Sequence, residues 1–164
     1  MKRKLLFSFL CFLIVAWNGT AQTLEDFEDE PLNQQFFTSN GQVFNITTQA
    51  GGTFKIYQVA PSGTGWNGTS ADDKYIDNFQ TKANNTPIGV TISSAGSKPF
   101  VIKSMYCYLS NYLDDLTATG TLTIIGKLGG VTKFTGTKST GFTTQLTTNN
   151  GFTYIDMTTF GGSD

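Results

Sequence analysis

The chain has 164 residues, with 11 Lys and Arg, 12 Asp and Glu, and no His. Without His, a catalytic triad with a histidine base and a histidine zinc site are both excluded. The lack of excess positive charge also argues against a nucleic-acid partner, which needs a basic face to neutralise phosphates.

The start of the chain is predicted to be a secretory signal peptide, residues 1–21. A basic head precedes the apolar run over residues 5–17, and the small residue Ala21 lies at the expected cut. The remaining residues, 22–164, keep eight Lys and no Arg against twelve acidic residues. We expect them to form one domain, secreted or at the cell surface, with no membrane span, because no other stretch approaches 18 apolar residues.

The predicted mature chain opens on an acidic segment that holds five of the twelve acidic residues, within positions 25–30. One interpretation is a solvated segment from which Leu24 and Phe27 contact the core. The other is that Glu25, Asp26 and Glu28 ligate a structural calcium ion, since calcium prefers several hard oxygen donors at one point. The sequence leaves both open.

Two strands are predicted next, after a connector that Phe36 and Phe37 anchor. They cover residues 43–48 and 54–59, and Gly51-Gly52 is predicted to join them as a hairpin.

Residues 60–81 form the longest irregular stretch, and loops of this length are often functional. Trp66 lies there between glycines, so its indole ring is expected either to lie open to solvent or to close the end of the sheet. In the first case a sugar ring would stack on it. The acidic residues of the same loop would then accept hydrogen bonds from the sugar hydroxyls; they are Asp72, Asp73 and Asp77.

The second half of the chain reads as a strand at 87–94 and a long strand at 100–110. A hairpin beside that strand, 121–127 with 131–137, turns at Gly129-Gly130. Alternation places Tyr106 and Tyr108 on one face of the long strand. Strands at 142–148 and 152–157 follow. Because the chain then stops on a turn, we expect the sheet to have an unpaired edge strand. Either the sequence is truncated at this point, or the missing strand is supplied from elsewhere.

Cys107 is the one cysteine left after the predicted cut, so an intramolecular disulfide is excluded and a buried, inert thiol is expected. Paired carboxylates offer a further reading, glycosidase-like chemistry at Asp72-Asp73 or Asp114-Asp115. Adjacent residues on a strand point to opposite faces, however, so neither pair could act without a partner from another loop.

Several segments resemble secreted β-jelly-roll modules of the Bacteroidetes that are similar to carbohydrate-binding domains. They are the signal ending in Ala-Gln and residues 24–28, 99–105 and 151–157. The resemblance implies a non-catalytic part of a larger secreted or surface protein. It also implies a calcium ion shared by Asp26 or Glu28 with Asp156 or Asp164. Such modules usually finish with one more strand, which we expect to be missing here.

The predicted fold is therefore an all-β, antiparallel β-sandwich of jelly-roll type with about eight strands. Its core is predicted from apolar residues in step along the strands: Phe54, Ile56, Ile88, Val90, Ile92, Phe100, Ile102, Leu122, Ile124, Phe134 and Ile155.

The predicted function is that of a non-catalytic module for polysaccharide or cell-surface glycan. The predicted ligand-binding residues are aromatic: Trp66, Tyr106, Tyr108 and Tyr112. One alternative is a structural or adhesive module that contacts other domains or surface proteins and has no small ligand. The other is a polysaccharide lyase or hydrolase, which would need converging groups such as Lys103, Tyr106 and Asp114.

Overall fold

The structure, a computed structural model, describes residues 23–58, 65–66, 72–78, 87–111 and 115–160. These residues form nine strands, all paired antiparallel, so the predicted all-β antiparallel class is confirmed. Tyr112, Asp114 and Asp164, the signal segment and most of the long loop lie outside the described residues. The strands are β1 (Phe36–Ser39), β2 (Gln42–Ala50), β3 (Lys55–Gln58), β4 (Lys74–Asp77), β5 (Gly89–Ser94), β6 (Ser104–Tyr108), β7 (Leu122–Leu128), β8 (Val131–Lys138) and β9 (Phe152–Asp156).

The strands form one three-stranded sheet, in the order β1-β2-β5, and the pairs β3-β4, β6-β9 and β7-β8. The predicted β7-β8 hairpin is confirmed. Its turn residues Gly129 and Gly130 have φ angles of 57° and 80°. Two consecutive positive φ angles match the right-handed twist of the flanking strands, and glycine adopts them without strain.

The predicted hairpin between β2 and β3 is wrong, because another segment lies between them. The Ile46 amide of β2 donates to the Gln35 carbonyl at 2.7 Å, and the Ile56 amide of β3 donates to the Gln34 carbonyl at 3.0 Å. Residues 33–35 therefore take the position that β3 would need in order to pair with β2, and β3 pairs with β4 instead.

Other predicted pairings and strands also need correction. The long strand predicted at 100–110 is β6, which covers only Ser104–Tyr108. It pairs with β9, whereas the sequence predicts that it lies beside the β7-β8 hairpin. Residues 142–148 form no strand. Instead the Thr143 hydroxyl donates to the Phe152 carbonyl at 2.9 Å, and the Thr143 amide donates to the Thr153 hydroxyl at 2.8 Å. Strands β1 and β4 are additional to those predicted.

The main core is a cluster of five buried residues: Phe37, Phe44, Ile46, Phe54 and Ile56. The Phe37 ring stacks on Phe44 at 5.0 Å and meets the edge of Phe27 at 5.2 Å. Leu116, Phe152 and Ile155 are the other buried apolar residues among those described.

The core prediction is correct for Phe54, Ile56 and Ile155 and wrong for four other positions. Ile88, Val90, Phe100 and Ile102 are between 39% and 52% exposed. In the part of the chain that the structure describes, β5 is the outermost strand of its sheet, so no further strand lies beside Val90. The others lie beside or beyond strand ends, where alternation alone cannot predict burial.

The remaining predicted core residues, Ile92, Leu122, Ile124 and Phe134, are half-buried. Cys107 is half-buried too, and burial raises the pKa of its thiol, as the predicted inert role requires.

Candidate functional site

Three aromatic rings lie in contact on one face of the β6-β9 pair. Tyr106 and Tyr154 are directly opposite each other in the register, with ring centroids 5.1 Å apart. The Trp66 ring lies 4.4 Å from Tyr106. Tyr106 is 37% exposed, Tyr154 is 50% exposed and Trp66 is half-buried. We call these three residues the aromatic strip.

The other end of the same face is closed by further aromatic residues. The Tyr108 ring lies 5.2 Å from the Phe152 ring, and the Tyr75 ring lies 5.1 Å from it. The Tyr75 hydroxyl donates to the Asp72 carbonyl at 2.7 Å, and burial, with the nearby acidic residues, raises its pKa to about 12. Tyr108 thus lies at the half-buried end of the face, whereas Tyr106 lies at the open end.

The backbone just before Trp66 holds the indole in place. Gly65 is buried, and a Cβ at this position would lie 2.9 Å from the carbonyl carbon of Asp72. The Asn150 side chain donates to the Gly65 carbonyl at 2.6 Å. Trp66 is therefore fixed between the residues before β4 and the turn before β9, and this geometry requires glycine at position 65.

The carboxylates predicted to flank Trp66 have other partners. Asp72 and Asp73 are both 8% exposed. Asp73 accepts a hydrogen bond from the Gln58 amide at 2.8 Å, and Asp77 accepts one from the Asn78 backbone at 2.7 Å. Their positions indicate structural roles at the edges of β3 and β4.

A groove of about 520 Å³ lies between the end of β8 and strand β9, with Tyr154 in its wall. We call it the polar groove, since its lining is dominated by hydroxyl and charged side chains: Thr137, Lys138, Ser139, Thr140, Asp156 and Thr159. Sequence reasoning missed both this groove and Tyr154. The register between β6 and β9 would have identified Tyr154, but no local signal specifies a pairing between such distant segments.

The two charged groups of the polar groove have different environments. The Lys138 ammonium lies 5.4 Å from the centroid of the Phe142 ring, and no carboxylate of the described residues lies within 4.0 Å of it. Asp156 accepts hydrogen bonds from the Thr158 hydroxyl at 2.7 Å and the Thr158 amide at 2.9 Å. These bonds lower the pKa of Asp156, so it is ionised at neutral pH.

The acidic opening forms a cluster of different composition from the predicted one. Carboxylate oxygens of Glu25, Asp26 and Asp29 lie within 4.8 Å of one another. Burial raises the pKa of Glu25, and the negative charge of Asp29 adds to this shift. Hard oxygen donors at this spacing match the chemistry that calcium prefers.

Lys74 explains why Glu28 is not in that cluster. The Glu28 carboxylate accepts a hydrogen bond from the Lys74 amide at 2.9 Å, while the Lys74 ammonium donates to the carbonyls of Glu28 at 2.6 Å and Glu30 at 2.8 Å. Asp156, on β9, lies outside the cluster as well.

No family model matches this chain, and no curated protein or solved structure matches it significantly. Among the described residues, no helix has the length and apolar character needed to cross a membrane.

Proposed function

We propose that this chain is a secreted, non-catalytic module that binds polysaccharide or cell-surface glycan on the aromatic strip. The observation that carries the proposal is the contact of three partly exposed rings, Trp66, Tyr106 and Tyr154, on one sheet face. The C–H face of a sugar ring is apolar and its hydroxyls are polar. A glycan site therefore combines aromatic surfaces with adjacent polar groups, as the aromatic strip and the polar groove do.

The proposal includes a sandwich of jelly-roll type as the frame. Strand β9 supports it, since Ile155 is 2% exposed whereas its neighbour Tyr154 is 50% exposed. At the Tyr154 end of the β6-β9 pair, one face therefore packs inward and the other faces out, as in a sheet of a sandwich. The signal-like start of the chain supports secretion.

A binding role is favoured over hydrolysis because hydrolases need two carboxylates that face one cleft. Among the described residues that line the polar groove, Asp156 alone carries a carboxylate. The lyase alternative requires Asp114, which lies outside the described residues.

The adhesive alternative is supported by one observation, the exposed threonines on the outer sheet faces. Thr47 lies opposite Thr91 across β2 and β5, and Thr123 lies opposite Thr137 across β7 and β8. A partner protein on these faces would leave the aromatic strip without a role, so substitution of Trp66 separates the two functions.

Trp66→Ala is expected to weaken glycan binding by at least about tenfold, because a central aromatic contact contributes most to such a site. The measurement is affinity electrophoresis of residues 22–164 through gels that contain soluble polysaccharides. Phe36→Ala is the matched control, since Phe36 is an exposed ring on β1, 42% exposed, that belongs to no part of the site. Retention by a polymer that survives Trp66→Ala unchanged, or no retention by any polymer, would contradict the proposal.

We also propose a structural calcium ion at Glu25, Asp26 and Asp29. Calcium is expected to raise the midpoint of thermal unfolding relative to chelator, because an ion that binds only the folded state stabilises it by mass action. Asp29→Asn should remove most of this increase, whereas Asp115→Asn, in an exposed loop elsewhere, should retain it. An unfolding midpoint that is identical with calcium and with chelator would exclude the site.

A further inference from the structure

We infer that the polar groove is a second subsite of the same glycan site and that its Lys138 ammonium binds the carboxylate of an acidic sugar. The inference rests on the proposed function, because it takes the ligand to be a glycan that lies on the aromatic strip. It adds the chemical class of that glycan, a chain that contains uronic acid.

The two subsites are continuous through Tyr154. Its ring contacts Tyr106 in the aromatic strip at 5.1 Å, and the same residue forms part of the groove wall. A glycan chain stacked on Trp66 and Tyr106 can therefore extend past Tyr154 into the groove without leaving the protein surface. The groove volume, about 520 Å³, lies within the range typical of small-molecule sites.

Lys138 is the group that selects an anion. Its ammonium has no carboxylate partner within 4.0 Å among the described residues, and the Phe142 ring, 5.4 Å away, holds it by a cation–π contact. A carboxylate beside this ammonium adds the attraction between opposite charges to the hydrogen bond, whereas a neutral hydroxyl forms the hydrogen bond alone. A sugar carboxylate at this position should therefore bind more tightly than a sugar hydroxyl would.

The remaining groups of the groove select a sugar with few charges. Thr137, Ser139 and Thr140 offer hydroxyls that both donate and accept hydrogen bonds, which matches the sugar hydroxyls. The ionised Asp156 accepts hydrogen bonds from hydroxyls but repels a second anion. The groove should therefore bind one carboxylate near Lys138 and discriminate against densely sulfated chains.

The experiment compares acidic polysaccharides with the same polymers after reduction of their carboxyl groups. Affinity electrophoresis uses polygalacturonate, alginate and glucuronan, each with its reduced form, together with dextran sulfate. The unsubstituted protein is expected to bind at least one acidic polymer about tenfold or more tightly than its reduced form, and dextran sulfate more weakly than that polymer.

Lys138→Gln should lower the affinity for the acidic polymer to that for the reduced one, while Lys138→Arg should keep the preference for the acidic form. The matched control is Lys133→Gln, an exposed lysine on the same strand, which should change neither affinity. Thermal unfolding of each variant confirms that it is folded. The comparison of acidic and reduced polymers with the unsubstituted protein decides the matter even if one variant fails to fold.

The outcomes separate this inference from the proposed function. Equal binding of acidic and reduced polymers, still sensitive to Trp66→Ala, would overturn the role of Lys138 and leave the glycan site intact. An equal loss in Lys133→Gln and Lys138→Gln would show general charge attraction and would also overturn it. No binding of any polymer, acidic or neutral, would overturn both.

Discussion

Replacing Ile56 by alanine is expected to lower the free energy of unfolding by about 2–5 kcal/mol. Ile56 is 0% exposed and lies in the main core cluster. Its backbone also forms hydrogen bonds with Gln34 and Asn33, which belong to the segment that lies between β2 and β3 in space. The cavity left by the smaller side chain therefore lies where the two sheets and that segment meet. Small domains have a total stability of about 5–15 kcal/mol, so a loss of this size approaches the limit for folding.

Chemical denaturation monitored by tryptophan fluorescence measures this loss, and Ile88→Ala is the matched control. Ile88 is 52% exposed, so the same substitution should cost about 1 kcal/mol or less. Equal losses at the two positions would show that the core extends to β5 and that the assignment of the core to β1, β2 and β3 is wrong.

Ile56 and Ile88 also show how far the sequence predicts the fold. Both lie in apolar, alternating segments, and both are predicted core positions. The structure separates them, because Ile56 has β4 on one side and residues 33–34 on the other, whereas Ile88 precedes the outermost described strand of its sheet. Alternation reports which residues share a face, but burial depends on what covers that face.

Glycine pairs predict one hairpin of this chain correctly and another wrongly. Gly51-Gly52 does not join β2 and β3 into a hairpin, because residues 33–35 lie between these two strands. The β7-β8 hairpin follows from Gly129-Gly130, which lie between its own strands. The β6-β9 pair joins two segments that are separated in the sequence by the whole β7-β8 hairpin. No turn residue specifies this pairing. Pairings of this kind depend on the tertiary packing of both strands, which a single sequence does not reveal.

In the candidate site, too, single residues can be predicted from local sequence, whereas contacts between distant segments cannot. Trp66 and Tyr106 can be identified from the sequence, the first by its glycine neighbours and the second by alternation. Their contact, the addition of Tyr154 and the groove at Lys138 depend on the β6-β9 register and on the path after β8. In the acidic opening, Lys74 from β4 determines that Asp29 rather than Glu28 faces Glu25 and Asp26.

The second large effect is expected at Gly65. Gly65→Ala should weaken glycan binding as much as Trp66→Ala does, at least about tenfold, although the indole itself is retained. The new methyl group would lie 2.9 Å from the carbonyl carbon of Asp72, which is backbone and cannot move aside as a side chain does. The backbone at position 65 must shift, so Trp66 should lose its contact with Tyr106. Overpacking of this kind costs about 1–3 kcal/mol, so the variant should still fold.

Affinity electrophoresis measures the loss of binding by Gly65→Ala, and near-ultraviolet circular dichroism reports the lost contact between Trp66 and Tyr106. Gly120→Ala is the control, because a Cβ at position 120 would have nothing within 4 Å. Undiminished binding in Gly65→Ala, with an unchanged aromatic spectrum, would show that the backbone absorbs the methyl group without moving Trp66. Lost binding with an unchanged spectrum would show that the ligand contacts Gly65 itself. Since Gly65 is buried, we expect binding and spectrum to change together.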